Sequence, residues 1–243
     1  EGLIKKAEPN GIDRILFVTG NDVLHTDNRG HTTSGTPQDT DSTLFDMFRA
    51  ASDAVTAGVA MCSEVAPVDM LHCPSNHDYY MGWACMQAVA AKFEAHKHVS
   101  ASKYNMSERH RKYYGYGYNG FMLTHGDGAK EEALYGLFLS EARDLVSKTR
   151  WLYSINHHLH HKIAKNRGGR KPELTEEDGV SVIMHNKHIA RTDDDGLLKV
   201  EHVRSPSASD SWHHRNGYVS RQAVECFLHH DVDGQTARFT EWF

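Results

Sequence analysis

The chain has 243 residues, a hydrophobic fraction of 39% and a formal net charge of −5. That length holds one large domain with a sizeable core. The acidic balance excludes a global basic field for nucleic acid and leaves only a local basic groove for such a partner. No stretch is long and apolar enough to span a membrane and no secretory signal is visible, so the expectation is a cytoplasmic protein without a membrane partner. The four cysteines, Cys62, Cys73, Cys85 and Cys226, form no CxxC pair, which speaks against a thiolate zinc site and for free thiols. The composition stands out in its 19 histidines, the side chain most used for metal ligation and for proton transfer near neutral pH.

In chain order, residues 1–10 read as the tail of a helix and residues 14–19, "RILFVT", as a buried strand cut by Gly20. Thr40 to Val65 carries Leu44, Phe48, Ala51, Val55, Val59 and Cys62 at three- and four-residue steps, the apolar stripe of a helix. Val68 to Cys73 reads as a second strand, Tyr79 to His96 as a helix, and residues 111–123 as a strand pair turning at Asn119-Gly120. Glu131 to Lys148 reads as a helix and Trp151 to Ile155 as a strand; residues 162–178 form a basic, Gly-containing loop. From Gly179 to Phe243 the segments "VSVIMH", "LLKVEHVR", "AVECFLHH" and "TARFTEWF" all read as strands. Strand-helix alternation followed by strands predicts a single domain over 1–243, a layered α/β sandwich of mixed β-sheets flanked by helices, with a mostly β part over 179–243.

Four polar clusters sit just after predicted strands: "GNDVLHTD" (Gly20 to Asp27), "CPSNHDYY" (Cys73 to Tyr80), "MLTHGDG" (Met122 to Gly128) and "INHHLHHK" (Ile155 to Lys162). In open α/β sheets ligands bind beyond the carboxyl ends of strands, so these clusters can converge. Carboxylate, carboxamide and imidazole ligands without thiolates suit manganese, iron, zinc or nickel rather than a structural zinc knot.

"GND" (Gly20 to Asp22), "SNHD" (Ser75 to Asp78), "THGD" (Thr124 to Asp127) and "HHLHH" (His157 to His161) resemble, in order and spacing, the signature blocks of calcineurin-like metallophosphoesterases. The resemblance runs along essentially the whole chain. It is closest to a bacteriophage branch, through "TTSGTPQDTD" (Thr32 to Asp41) and "SASDSWHHRNGY" (Ser207 to Tyr218) as well. It implies the calcineurin-like phosphoesterase fold and hydrolysis of a phosphomonoester or phosphodiester by a metal-bound hydroxide. Asp22 matches the carboxylate that bridges two ions; Asn76, His125 and His158 match ligands of the second metal site, and His160 a ligand of the first. His77 matches the imidazole that assists the leaving oxygen, with Asp78 as its partner. His25, Asp27 and Gln38 are candidate substrate contacts, although ordinary loop polarity accounts for them equally well.

The implied cofactors are divalent ions, manganese first, two in the complete enzyme. Two departures concern glycines: Ser75 and His157 stand where the family has Gly. A third is larger. The family's opening Asp-x-His block, which supplies ligands of the first site, has no counterpart before Asp22; the expectation is therefore a chain short of its first strand, binding one ion well and calling for a complementary N-terminal segment or subunit. A nucleic-acid end-processing enzyme or phage DNA exonuclease is the alternative substrate class, and a degenerate metal-binding scaffold the alternative of another kind. Lys162 to Lys171 reads first as a solvated loop, and His157 or His161 as a solvated histidine.

Overall fold

The computed structural model describes residues 1–158, 198–204, 206 and 222–243. The expected strand "VSVIMH", the basic loop over 162–178, His160, His161 and the segment 207–218 lie outside the described residues. The protein is a mixed α/β structure with several sheets, and it divides into two compact units, Glu1–Lys112 and Tyr113–Phe243. No helix among the described residues is long and apolar enough to cross a membrane.

The first unit opens with helix α1 (Gly2–Ala7) and a 3₁₀ turn (Glu8–Asn10), followed by β1 (Ile15–Gly20), α2 (Leu44–Ser63), β2 (Val68–Cys73), α3 (Tyr79–Lys92) and β3 (Val99–Ser100). The three strands form a parallel sheet in the order β1-β2-β3. Central β2 is buried at every position, as expected of a parallel strand covered on both faces. Its one carboxylate, Asp69, is matched by Arg14 at 2.9 Å. Val59 and Cys62 of the predicted α2 stripe are buried, and Leu44, Phe48, Ala51 and Val55 pack against the core of Val68, Met70, Met86 and Val89.

Helix α2 starts at Leu44 rather than Thr40 because Thr43 caps it: its hydroxyl accepts from the Asp46 N–H at 3.2 Å and donates to the Asp46 carboxylate at 2.6 Å, a reciprocal arrangement like a capping box. Helix α3 stops at Lys92 instead of His96, because Phe93 (φ −106°, ψ 6°) leaves the helical region.

In the second unit β4 (Arg111–Tyr116, beginning at the unit boundary) and β5 (Asn119–Thr124) are joined by Gly117-Tyr118. The turn thus precedes the Asn-Gly pair expected to make it. Gly117 adopts φ +55°, and a Cβ there would meet the Asp231 carbonyl at 2.3 Å. Asn119 is instead a buried strand residue whose amide donates to the carbonyls of Tyr116 (3.1 Å) and His230 (2.8 Å). The expected helix over 131–148 is two, α4 (Glu131–Glu141) and α5 (Arg143–Val146), parted at Ala142 (φ −131°, ψ 42°). No breaker residue in the sequence marks that point.

Strands β6 (Trp151–Asn156) and β7 (Leu198–His202) complete a four-stranded sheet in the order β4-β5-β6-β7, with β5, β6 and β7 parallel. Met122, Phe138, Leu152, Leu198 and Val200 form its core. An antiparallel pair, β8 (Ala223–His230) and β9 (Gly234–Trp242), closes the chain. Arg238 of β9 ties this pair to β7: its guanidinium donates to Glu201 at 2.8 Å and to Glu225 at 2.6 Å, both of these carboxylates being almost wholly buried. Two buried acids sharing one planar fork donor is an arrangement that satisfies charge and hydrogen bonding together.

His229 packs edge-on against Phe121 (4.8 Å) and Tyr153 (4.5 Å). Burial pushes its pKa down to about 4; Lys199 adds to the shift and Glu201 opposes it. An imidazole held neutral in the fold but protonated below about 6.5 in the unfolded chain contributes stability that is complete above that pH and drains away as pH falls toward 4. The His229→Phe variant keeps the ring contacts and should lose on the order of 3 kcal/mol less stability than the parent between pH 6.5 and 4, measured by urea unfolding across that range.

Candidate functional site

In the first unit β1 and β2 end side by side, Gly20 registered with Cys73, so the loops leaving them share one edge of the sheet. The backbone then does something costly. Gly20, Asn21 and Asp22 have φ of +86°, +61° and +62°. Non-glycine residues enter this region at a cost of about 1–2 kcal/mol each, and such outliers cluster at functional sites. Only glycine can begin the turn: a Cβ on Gly20 would sit 2.2 Å from the Cys73 carbonyl and 2.7 Å from Nδ1 of His72.

Hydrogen bonds hold the turn. The Asn21 N–H donates to the Cys73 carbonyl at 3.0 Å, the Asp22 N–H to the Ser75 hydroxyl at 2.8 Å, and the His77 N–H to the Asp22 carboxylate at 3.1 Å. Ser75, which departs from the glycine of the family block, is therefore a structural partner: its hydroxyl also donates to Asp78 at 2.5 Å. No signal within the sequence pointed to that role.

Asp78 is almost fully buried, and its second oxygen accepts from the Leu24 N–H at 2.7 Å. Burial is the main reason its carboxyl is pushed up to about 7; the bonds from Ser75 and Leu24 pull the other way, and the charges of Asp22 and Asp27 push it further up. Asp78 thus ties the loop after β1 to the loop after β2, where sequence reading had paired it with the His77 imidazole. The His77 ring is half-buried, lies 5.3 Å from the ring of His25, and has a buried Nδ1 with no hydrogen-bond partner among the described residues.

Two of the candidate substrate contacts have structural tasks. Asp27 is buried and caps α3, accepting from the N–H groups of Tyr80 (3.1 Å) and Met81 (2.7 Å) and from the Thr33 hydroxyl (2.8 Å). A carboxylate there also faces the positive end of the helix dipole. Gln38 fastens the loop through its backbone, its N–H donating to the Gly30 carbonyl at 2.8 Å. Asn76 lies half-buried between Ser75 and His77 in the same loop.

In the second unit the carboxyl ends of three parallel strands align, Thr124 with Asn156 and Asn156 with His202. His125 follows β5 and is fully buried; His157 and His158 follow β6. The His125 carbonyl accepts from both the His157 N–H (2.8 Å) and the His158 N–H (2.6 Å). That double anchor turns His158 back, so that its Nδ1 lies 3.1 Å from Nε2 of His125. Two imidazoles bound to one ion at about 2.0–2.1 Å place their donor atoms about 3 Å apart, so this pair fits a shared cation as well as it fits a hydrogen bond. His157, where the family has glycine, turns its Nδ1 to the Thr124 carbonyl at 3.1 Å.

A further pair went unremarked in the sequence. His202, ending β7, has its Nε2 3.9 Å from the carboxylate of Glu131 at the start of α4. Only the tertiary fold brings these two together. No protein-family model, no curated protein and no solved structure matches this chain. Its own residues carry the functional reading.

The left-handed turn offers a clean test. Gly20→Ala should lower stability by about 2–5 kcal/mol, combining the backbone and overpacking costs. Gly128→Ala, where a Cβ meets nothing within 4 Å, should change it little. Urea-unfolding midpoints of the two variants make the comparison.

Proposed function

We propose that this chain is a metal-dependent phosphoesterase of the calcineurin-like type, acting on a phosphomonoester or phosphodiester, and that its α/β units form the mixed-sheet sandwich of that fold. The observation that carries the reading is the pair of imidazole nitrogens of His125 and His158, 3.1 Å apart and set by one carbonyl anchor. Asp22 of the first unit adds a carboxylate on a strained turn; the family resemblance assigns it to the same ion as His125 and His158. Asn76 would complete the set with a neutral oxygen. The donors are nitrogen and oxygen without thiolate, the chemistry that fits manganese first and zinc, iron or nickel after it. His160, the further ligand implied by the family resemblance, lies outside the described residues.

A divalent ion held there would supply Lewis acidity, polarising phosphoryl oxygens and making water more acidic. The chain's residues do the rest. His77 would hold a proton and pass it to the departing oxygen. Its backbone is fixed by the bond from its N–H to Asp22, so the same carboxylate that binds metal sets the position of the acid. His25, with its ring 5.3 Å away, would limit how far the His77 imidazole swings. Asp78, engaged with Ser75 and Leu24, would act by keeping the two loops in register.

The reading is tested by metal analysis together with turnover. After dialysis the chain should retain a divalent ion, and with manganese it should hydrolyse an aryl phosphate or a bis-aryl phosphate. His77→Ala should cut turnover by roughly 10²–10⁴-fold, the scale of a general acid, with metal content unchanged. His158→Ala should lose the metal. A chain that retains no ion and cleaves neither ester would refute the proposal.

A further inference from the structure

Immediately after His77 and Asp78 the chain places aromatic side chains where water can reach them. Tyr80 is 68% exposed, Trp83 39% and Tyr104 39%. Aromatic rings carry the largest apolar payload of any side chain, so a run of exposed ones is informative. On the first unit Tyr80, Tyr79 and His110 run in ring-to-ring contact, and Arg109, next to His110 in the chain, carries the series on to Tyr104. Tyr80 meets Tyr79 edge-to-face at 5.1 Å, Tyr79 stacks on His110 at 5.3 Å with 29° between the planes, and Arg109 lies over the ring of Tyr104 at 5.9 Å. The strip is held in place from beneath: Tyr79 donates its hydroxyl to the Glu108 carbonyl at 3.2 Å, and Trp83 its indole N–H to the Met106 carbonyl at 3.1 Å.

The charge beside the rings is cationic in an otherwise acidic chain. Lys103, Arg109 and Arg111 stand against the single acid Glu108 between residues 103 and 111, while the whole chain carries −5. Lys103 and Arg109 are exposed, and Arg109 has no carboxylate partner among the described residues. The N-terminus of α3, a kind of place where phosphates settle, is already taken by the carboxylate of Asp27. Ring faces alternating with cations are the combination that single-stranded nucleic acid uses, bases on the rings and phosphates on the cations.

We propose that the substrate class of this site is single-stranded nucleic acid, its bases stacking along Tyr80, Tyr79, His110 and Tyr104 while Arg109 and Lys103 follow the backbone phosphates. The proposal rests on the phosphoesterase reading and narrows it. Stacking on aromatic faces combined with a basic track is the way proteins hold single strands without reading their sequence. Because Tyr79 is two residues from His77, a strand lying on the strip would deliver a phosphate toward that imidazole.

The test uses the full chain and a fluorescently labelled oligothymidylate of roughly ten nucleotides, a length suited to one such site. Binding is measured with a chelator present, so that it does not depend on metal. The parent should bind, more weakly as salt rises. Tyr80→Ala and Tyr104→Ala should each weaken binding about tenfold, the scale of one lost base stack. Tyr80→Leu should weaken it as much as Tyr80→Ala, because leucine keeps apolar area but has no ring face. Arg109→Gln should flatten the salt dependence by about 0.7 in log–log slope, as for one lost phosphate contact. The tyrosine variants should hydrolyse an aryl phosphate at the parent rate and melt at the parent temperature. No oligonucleotide binding by the parent, binding indifferent to Tyr80→Ala and Tyr104→Ala, or full binding by Tyr80→Leu would each overturn the stacking strip. Absence of aryl phosphate turnover in the parent would instead strike the phosphoesterase reading on which it rests.

Discussion

Three consecutive residues with left-handed backbone, Gly20 to Asp22, form the constraint on which the first unit's polar loops depend. The turn is unfavourable in isolation and survives because each N–H and carboxylate that it exposes finds a partner on the neighbouring strand or loop. The Asn21 N–H reaches Cys73, the Asp22 N–H reaches Ser75, and the Asp22 carboxylate receives the His77 N–H. Parallel pairing makes this feasible. With Gly20 registered on Cys73, both strands run out at the same level, and the loops after them have no choice but to meet. The strain is thus bound up with the placement of two residues, Asp22 and His77, to which the proposed chemistry assigns different tasks.

The second unit reaches a comparable end by a different device. Among its described residues no polar pair has left-handed backbone; one carbonyl, that of His125, accepts two successive N–H groups from the next strand's loop. A bifurcated anchor of this kind fixes direction more than it adds energy. It settles which nitrogen of His158 faces His125, and so brings together two imidazole nitrogens from residues 33 apart in the chain. In both units the polar loops sit at the carboxyl ends of parallel strands, the place where α/β sheets leave backbone dipoles and space for a ligand.

Much of this was legible in the sequence. Strands β1, β2, β6, β8 and most of β9 lie where short apolar runs placed them; for β2 and β6 the cause is burial on both faces. Boundaries were less legible. Thr43 begins α2 by capping it through its own side chain, a local signal that the apolar stripe obscured. Asn119-Gly120 has the composition of a turn, yet Gly117 takes the turn because the carbonyl of Asp231, far along the chain, leaves no room for a Cβ there. The sequence shows polar residue types clustered after strands, and not the tertiary partners that each of them takes. Asp27 and Asp78 look in sequence like candidates for chemistry; in the fold one caps α3 and the other bridges Ser75 and Leu24. Ser75 and the His202–Glu131 pair had no sequence signal, since their importance lies in tertiary neighbours alone.

Lys112 has a consequence of a different sort. It is the largest side chain fully sealed from solvent, with its ammonium donating to the Arg109 carbonyl at 2.8 Å. Burial draws its pKa down to about 8, against the pull of Cys73 and Glu108. Such an amine is intrinsically more nucleophilic near neutral pH than a surface lysine, yet acylating reagents cannot touch it while the fold is closed. Its modification rate is therefore a clock for local opening. Slow, denaturant-sensitive labelling at this one position would report how often the segment carrying His110, Arg109 and Tyr104 lifts away from β2.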